Sequence, residues 1–525
     1  MKTTNLKLAA FVALTCCATL GAAQPFGGAE QNERGNAVGA APDGRFDGQK
    51  PTAGLGGGPG NFGGPGGRRN AAVDYVGATE FKESTQSEGE RYESETSPEN
   101  ALLVSGGEST VKDATVVKTG APEGRSDDYD FYGTNAAVLV RQGKLTLHGG
   151  RIETNAAYAN ALFACGEASE IDAEKVRIHT REHNSGGVMV TSGGTLTARD
   201  FNVVTEGGSS AAIRSDRGGG LLTVIGGEFV SNGPGSPAIY STADIRVENA
   251  ILNSTRSEGA IIEGRNSITL RKTKLYDDNN VLHGKSSTYK NVFIYQSFSG
   301  DAAVGTSNFT AEDSEIVTKK GDSIYVTNTR CTIDLRRVKF VNEDPEGWFL
   351  RLKRDGWGRK GANGGKAEAT LAEQEVHGNI YVDNISELTL SLVEGSHFVG
   401  AINAENTAGR LDLVLDASST LELTADCYVT SLKNEDASGA NIKLNGFKLR
   451  VGEEKQADNL PETGDDGAGH GGPGGPGGPG GPGQGGFGGP DGQAPPDGAF
   501  DGANRRPPRR GGPGNGRGRG RRALD

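Results

Sequence analysis

Ala136-Ala-Val-Leu-Val-Arg141, Asn160-Ala-Leu-Phe-Ala-Cys165, Gly187-Val-Met-Val-Thr191, Ala211-Ala-Ile-Arg-Ser215, Pro237-Ala-Ile-Tyr-Ser241 and Gly259-Ala-Ile-Ile-Glu263 are versions of one phrase, spaced about 25 residues apart. Each begins with a small or polar residue and continues with apolar ones. A second run follows, as in Lys144-Leu-Thr-Leu147, Thr195-Leu-Thr-Ala198 and Ser267-Ile-Thr-Leu270, and then a third, as in Arg151-Ile-Glu-Thr154 and Asn202-Val-Val-Thr205. Three short strands per period, with Gly, Asn and Ser between them, predict the coil of a β-solenoid. Alternating strands with turn residues also fit a sandwich. A sandwich, however, does not need the same signature at one phase of every period. A solenoid does, because each residue stacks on its counterpart one coil away.

Working outward, Asn100 to Val451 carries the pattern and is expected to form one parallel β-helix. After Leu270 the same first strand is visible in Asn291-Val-Phe-Ile-Tyr295, Asp322-Ser-Ile-Tyr-Val326, Trp348-Phe-Leu-Arg-Leu352 and Asn379-Ile-Tyr-Val382, at wider spacing. The extra residues fall in loops, Asp277 to Lys290, Gly300 to Ser307 and Arg354 to Lys366. Residues 71–99, polar and acidic, are expected to cap the first coil, whose bare strand edges need cover.

The flanks differ. Met1 to Ala23 has a charged start (Lys2, Lys7), an apolar run from Leu8 to Leu20 and a small-residue end at Gly21-Ala-Ala23, the plan of a secretory signal. Cys16 and Cys17 make a poor lipoprotein site, since Thr15 stands where a small residue is wanted. Residues 24–70 and 452–525 are rich in Gly and Pro and too poor in apolar residues to offset the entropy of ordering, so disorder is expected there. The tail carries near-threefold Gly-Gly-Pro repeats from Gly471 and a basic end from Arg505 to Arg522. No run outside the leader approaches the ~20 apolar residues of a membrane-spanning helix. The expected location is therefore exported: cell surface, periplasm or extracellular.

Composition supports a thin elongated body. Hydrophobic residues are 34% and aromatics 6%, and the 84 glycines concentrate at the two ends. A formal charge of −12 argues against nucleic acid as a partner of the body. Cys165, Cys331 and Cys427 are odd in number and form no CxxC or His/Cys cluster, so they are expected as free buried thiols rather than a disulfide framework or a zinc site.

Ser209-Ser-Ala-Ala-Ile-Arg-Ser-Asp-Arg-Gly-Gly-Gly220, Gly235-Ser-Pro-Ala-Ile-Tyr-Ser-Thr-Ala-Asp-Ile245, Asp130-Phe-Tyr-Gly133 before Asn135-Ala-Ala137, and Gly356-Trp-Gly358 ahead of Asn363-Gly364 resemble a group of bacterial surface proteins. That resemblance, covering about Asn100 to Arg450, implies a right-handed parallel β-helix of the pectin-lyase-like kind, mostly uncharacterised or adhesin-like. It implies no catalytic residues.

Enzymes of that architecture would need carboxylates at one phase of neighbouring coils, around Ca²⁺ or as an acid and base pair. The positions following the first strand read Arg141, Cys165, Thr191, Arg214, Tyr240 and Glu263, which is no acidic row. The polar residues singled out are Arg214, Asp216 and Arg217 beside three glycines, with Tyr240 and Trp357. Such groups could hold an acidic or hydroxyl-rich glycan, with an aromatic ring on a sugar face. Equally, Asp216 could lock a corner by pairing with Arg across coils. Asp127-Asp-Tyr-Asp130 and Asp277-Asp-Asn-Asn280 are oxygen-rich and suit Ca²⁺ in charge, though not in EF-hand spacing. Trp348 is expected to fill an enlarged coil. Leu460-Pro-Glu-Thr-Gly464 spells a sortase signature, but a hydrophilic stretch follows it where a sorting signal carries an apolar span.

Three functions stay open at this level. The first is a non-catalytic exported surface for adhesion or glycan binding, with polysaccharide or envelope polymers as partners. The second is a polysaccharide lyase or hydrolase on the same fold. The third is a structural envelope or matrix component anchored by the basic tail.

Overall fold

The computed structural model describes residues 73–464 apart from 283, 298 and 299. The expectations for the leader, the Gly/Pro segment up to residue 70, and the Gly/Pro/Arg tail beyond 464 lie outside the described residues.

The body is a right-handed parallel β-helix of about 15 coils, with about 1% helix. First strands form one sheet of 12, from Gly77–Phe81 to Ile380–Val382. Second and third strands form most of a second sheet, every pairing parallel. Gly77–Phe81, Gln86–Glu88 and Arg91–Ser94 are the three strands of a first coil, paired in register with Asn100–Val104, Glu108–Lys112 and Thr115–Lys118.

Apolar columns run through the coils. Leu145, Ile171, Leu196, Leu222, Ile245 and Ile268 stack from the second strands, and Ile152, Ile178, Val203, Phe229, Leu252 and Leu275 from the third. Their spacing is that of neighbouring strands, about 4.8 Å, so each coil completes the burial of the next.

The bend between second and third strands has a common cause in most coils. One or two residues there take positive φ: Asp113, Lys175, Asp200, Asn249, Lys272, Asp313, Arg337, Glu373 and Glu394 near +50°, the last followed by Gly395, and the pairs Gly149-Gly150 and Gly226-Gly227. Hydroxyls build the corner before the first strand, where Ser185 N–H donates to Ser210 Oγ and Ser210 N–H to Ser236 Oγ, both at 2.9 Å.

The outward face of the first-strand sheet positions the site. Leu103, Leu139, Phe163, Met189, Arg214, Tyr240, Ile261, Phe293, Tyr325, Arg351 and Tyr381 form one register column. All but Arg351 are buried although they point away from the coil interior. Loops cover them: a Cβ at Gly133 would lie 2.7 Å from the Phe163 ring, and Thr191 donates to the Phe131 carbonyl. Gln296, Ser297 and residues 300–305, and the loop of residues 353–365, continue the cover. Last comes a strap formed by residues 452–464, tied by Arg354 to Asp458, Asn384 N–H to Asp458 (3.0 Å) and Asn363 Nδ2 to the Thr463 carbonyl (3.0 Å). The sortase-like motif is thus packed against the body.

Cys331 and Cys427 lie in the inner core, and Cys165 lies with Leu139 and Met189 under the loops; all three are free thiols.

Candidate functional site

Arg214 is the central residue of the three-residue strand Ile213–Ser215, where alternation turns Ile213 and Ser215 inward and Arg214 out. Asp216 follows, and Gly218, Gly219 and Gly220 take positive φ. Glycine is required at 220, since a Cβ there would sit 2.3 Å from the Gly194 carbonyl. This turn swings Arg217 outward beside Arg214.

Both arginines meet loops from far along the chain. Asp130, at the end of the one-turn helix Asp127–Asp130, takes Arg214 in a two-pronged pair, Nη1 to Oδ1 at 2.8 Å and Nη2 to Oδ2 at 3.1 Å. Asp216 Oδ2 accepts from Nε at 3.2 Å and Nη2 at 3.0 Å of the same guanidinium. Arg217 spans Asp301 (2.7 Å) and Asp127, and lies over the Phe131 ring, 4.2 Å from its centre. Arg214, Asp130, Asp216 and Asp301 are each at most 6% exposed, so the Arg214 pairs lie out of solvent, while Arg217 and Asp127 are partly exposed.

Tyr240, one coil on from Arg214, donates to Glu263 at 2.6 Å, as does Tyr295 at 2.9 Å. Ser297 donates to the other oxygen. Glu263 is fully buried, and burial raises its carboxyl above the usual range despite these hydrogen bonds. Burial likewise pushes Asp216 up to about 8, against the pull of Arg214. For Arg214, burial acts downward, but Asp130 and Asp216 outweigh it and the guanidinium is held more firmly protonated than usual.

Between these groups lies a cavity of about 40 Å³, lined by Arg125, Asp130, Phe131, Arg214, Asp216 and Tyr240 among others. Ligand pockets usually run to several hundred Å³. This one suits water.

The structure places the singled-out residues as follows. Arg214, Asp216, Arg217 and Tyr240 do come together. Trp357 packs against the apolar cluster that holds Tyr240 with Ile261, Phe293 and Tyr325, and meets Tyr295 edge-on at 4.9 Å. The expected filler Trp348 is instead half-buried, beside Tyr381 and Arg351. Asp127 and Asp130, considered for Ca²⁺, face the two guanidiniums. Asp277 is buried with its carboxyl pushed up, by burial first and then by Glu258, and Asp278 pairs with Lys319.

The phase row also needs correction. Cys165 pairs with Thr191, but Arg214 and Tyr240 align with Met189 and Ile261, two residues earlier. In true register Asp216 succeeds the Val190–Ser215 pair, and Glu263 faces Tyr295. Carboxyls do gather here, with Asp130 and Asp301 supplied by loops.

A second grouping was missed altogether. On the open side of the third strands, Arg151, Arg177, Asn202 and Glu153, His179, Val204 form adjacent columns along a shallow groove of about 540 Å³. Arg151 and Arg177 are stacked in register, a like-charge contact that costs stability unless an anion lies nearby. Glu153 supports Arg151 at 3.5 Å. The signal was present in the parallel wording of Arg151-Ile-Glu-Thr154 and Arg177-Ile-His-Thr180.

No helix among the described residues is long and apolar enough to cross a membrane. Comparison with protein-family models, with curated proteins and with solved structures finds no match, so the parallel β-helix is what places this chain among known architectures.

Proposed function

We propose that the protein is an exported, non-catalytic β-helix whose open side face holds an extended acidic glycan, in adhesion or in the organisation of an envelope. The observation that supports this reading is a contrast in access. The conspicuous arginines, Arg214 and Arg217, are each spanned by two carboxylates under loops, around a cavity of about 40 Å³. Arg151 and Arg177 face an open groove that also holds Asn202, Glu153 and His179, the last 3.4 Å from Glu206. Guanidiniums repeated at the strand spacing, with polar neighbours along the groove, suit carboxylates or sulfates along a polymer.

The test is retention on immobilised uronate and sulfated polymers, compared with a neutral glucan. Wild type should be retained by the acidic polymers, and Arg151→Ala with Arg177→Ala should abolish retention while Arg217→Ala leaves it. Equal retention of wild type and the double variant rejects the groove.

A second reading, a polysaccharide-active enzyme, draws on one observation: Asp130, Asp216 and Asp301 converge with Arg214 and Tyr240 around one cavity. It requires the covering loops to lift, and it predicts polymer cleavage that depends on Asp216.

A further inference from the structure

We propose that Lys290 and Asp355 condense to an intramolecular isopeptide bond, a covalent staple between the start of a first strand and a loop covering the first-strand sheet. The inference goes beyond the proposed function and does not rest on it.

Lys290 opens the strand Lys290–Tyr295, and Asp355 lies in the loop of residues 353–365. Their side chains are 0% and 1% exposed, with Nζ 3.9 Å from Oδ2. That distance is too long for a hydrogen bond. As an ion pair the contact therefore recovers little of the desolvation cost of two buried charges. An amide would carry neither charge.

The amine is enclosed by two aromatic rings and two hydrogen-bond acceptors. Nζ lies 4.3 Å from the centre of the Phe293 ring and 4.9 Å from that of Tyr325. It donates to Ser286 Oγ (3.0 Å) and to the Thr288 carbonyl (2.8 Å), which leaves one position of the amine for Asp355. Burial pulls the ammonium toward deprotonation, against Glu258, Asp355 and Asp322.

The carboxyl is equally fixed. Asp355 Oδ1 accepts the N–H of Gly356 at 2.8 Å and of Ser287 at 3.1 Å. Gly356 is pressed on the facing loop, where a Cβ would lie 2.5 Å from the Lys285 carbonyl. Only glycine permits that approach, which sets Asp355 against Lys290.

In the reaction Nζ attacks Asp355 Cγ, the C–N bond forms, and the Cγ–Oδ2 bond breaks. Oδ2 leaves as water with the two protons that the ammonium sheds. Ammonium plus carboxylate thus becomes amide plus water, with no oxidant, nucleotide or metal. The backbone N–H groups at Oδ1 stabilise the oxyanion as it develops. Asp322, paired in register with Lys290 one coil on, adds a carboxylate to the neighbourhood, where it holds Arg351 at 2.9 Å. The other buried basic groups on this face, Arg214 and Arg354, are guanidiniums and stay ionic.

Mass spectrometry of the full chain decides the matter. A protease digest of the wild type should yield a branched peptide joining the Lys290 and Asp355 fragments, lighter by one water than their sum, and both linear fragments should be lost. Lys290→Arg and Asp355→Ala should give linear fragments of full mass. Asp355→Asn should release ammonia in place of water and reach the same branched product as the wild type. Linear Lys290 and Asp355 fragments of full mass from folded wild-type protein overturn the proposal, whether or not any variant folds.

Discussion

Replacing Arg214 by alanine isolates the role assigned to the buried arginines. The substitution leaves Asp130 and Asp216, 5% and 3% exposed, without the guanidinium that each of them meets. Removing one partner of such a buried pair costs about 3–5 kcal/mol. At about 1.4 kcal/mol per factor of ten, this corresponds to roughly 100- to 1000-fold or more in the equilibrium for loop opening. The segment expected to open is residues 120–135, which Asp130 ties to Arg214 and Asp127 to Arg217. Hydrogen exchange read by peptide mass should therefore show protection lost over this loop, while peptides of the second and third strands keep theirs. Combining Arg214→Met with Asp130→Asn and Asp216→Asn removes the uncompensated charge and should restore much of the protection. Unchanged protection of the loop in Arg214→Ala would refute the clamp, since these are the contacts said to hold it.

Four other outcomes follow from the same structure. Gly227→Ala should lower stability by at least about 2 kcal/mol in chemical denaturation, because φ is +93° and a Cβ would meet the Phe201 carbonyl at 2.2 Å. Asp216 and Asp322, raised mainly by burial to about 8 and about 6, keep their protons in the folded state to higher pH than in the unfolded chain. Their contribution is complete below about pH 4 and is lost as pH rises through those values, at up to about 1.4 kcal/mol per pH unit for each group. The denaturation midpoint should thus fall from pH 5 to 8, and fall less in Asp216→Asn. Arg354→Ala should free the strap, seen as faster protease cleavage between Gly452 and Gly464, because Arg354 holds Asp383 at 3.0 Å as well as Asp458. Burial raises the thiol of Cys331 well above the usual range and that of Cys427 to about 11, so neither should react with a thiol reagent before unfolding.

The coil was legible because stacking repeats a local requirement. A small-apolar phrase recurs where each first strand must fit between its neighbours, and turn residues recur where the chain bends. Even the widely spaced first strands at Asn291, Asp322 and Asn379 were visible, since an insertion lengthens a loop without altering the strand. Register was less legible. Alternation has period two, so a slide of two residues leaves each side chain on its own face, and the Arg214 and Tyr240 phase slipped by that amount. The partners of the arginines were out of reach for another reason. Arg214 and Asp130 stand 84 residues apart, as do Arg217 and Asp301, and no periodicity links a coil position to a folded-over loop. The open groove was within reach, because Arg151 and Arg177 occupy the same place in neighbouring coils.

The contact that most clearly departs from the repeat is the cover over the first-strand sheet. Phe163, Tyr240 and Tyr325 occupy outward positions, where a bare solenoid would expose them, yet each is at most 5% exposed. Loops of different origin cover this face from Asp127 to the strap at Asp458, and arginine serves at several of the anchoring points. The polar cluster thereby has a structural task that accounts for its burial and charge pairing.

The most direct test of this division between a sealed clamp and an open binding face is polymer chain length. Uronate polymers should be incubated with wild type, Arg214→Ala and Asp216→Asn and then sized by chromatography. The account predicts unchanged length with all three proteins, together with retention of the wild type on the same polymers. Shortening by the wild type that is absent with either variant would contradict it and place catalysis at the cluster.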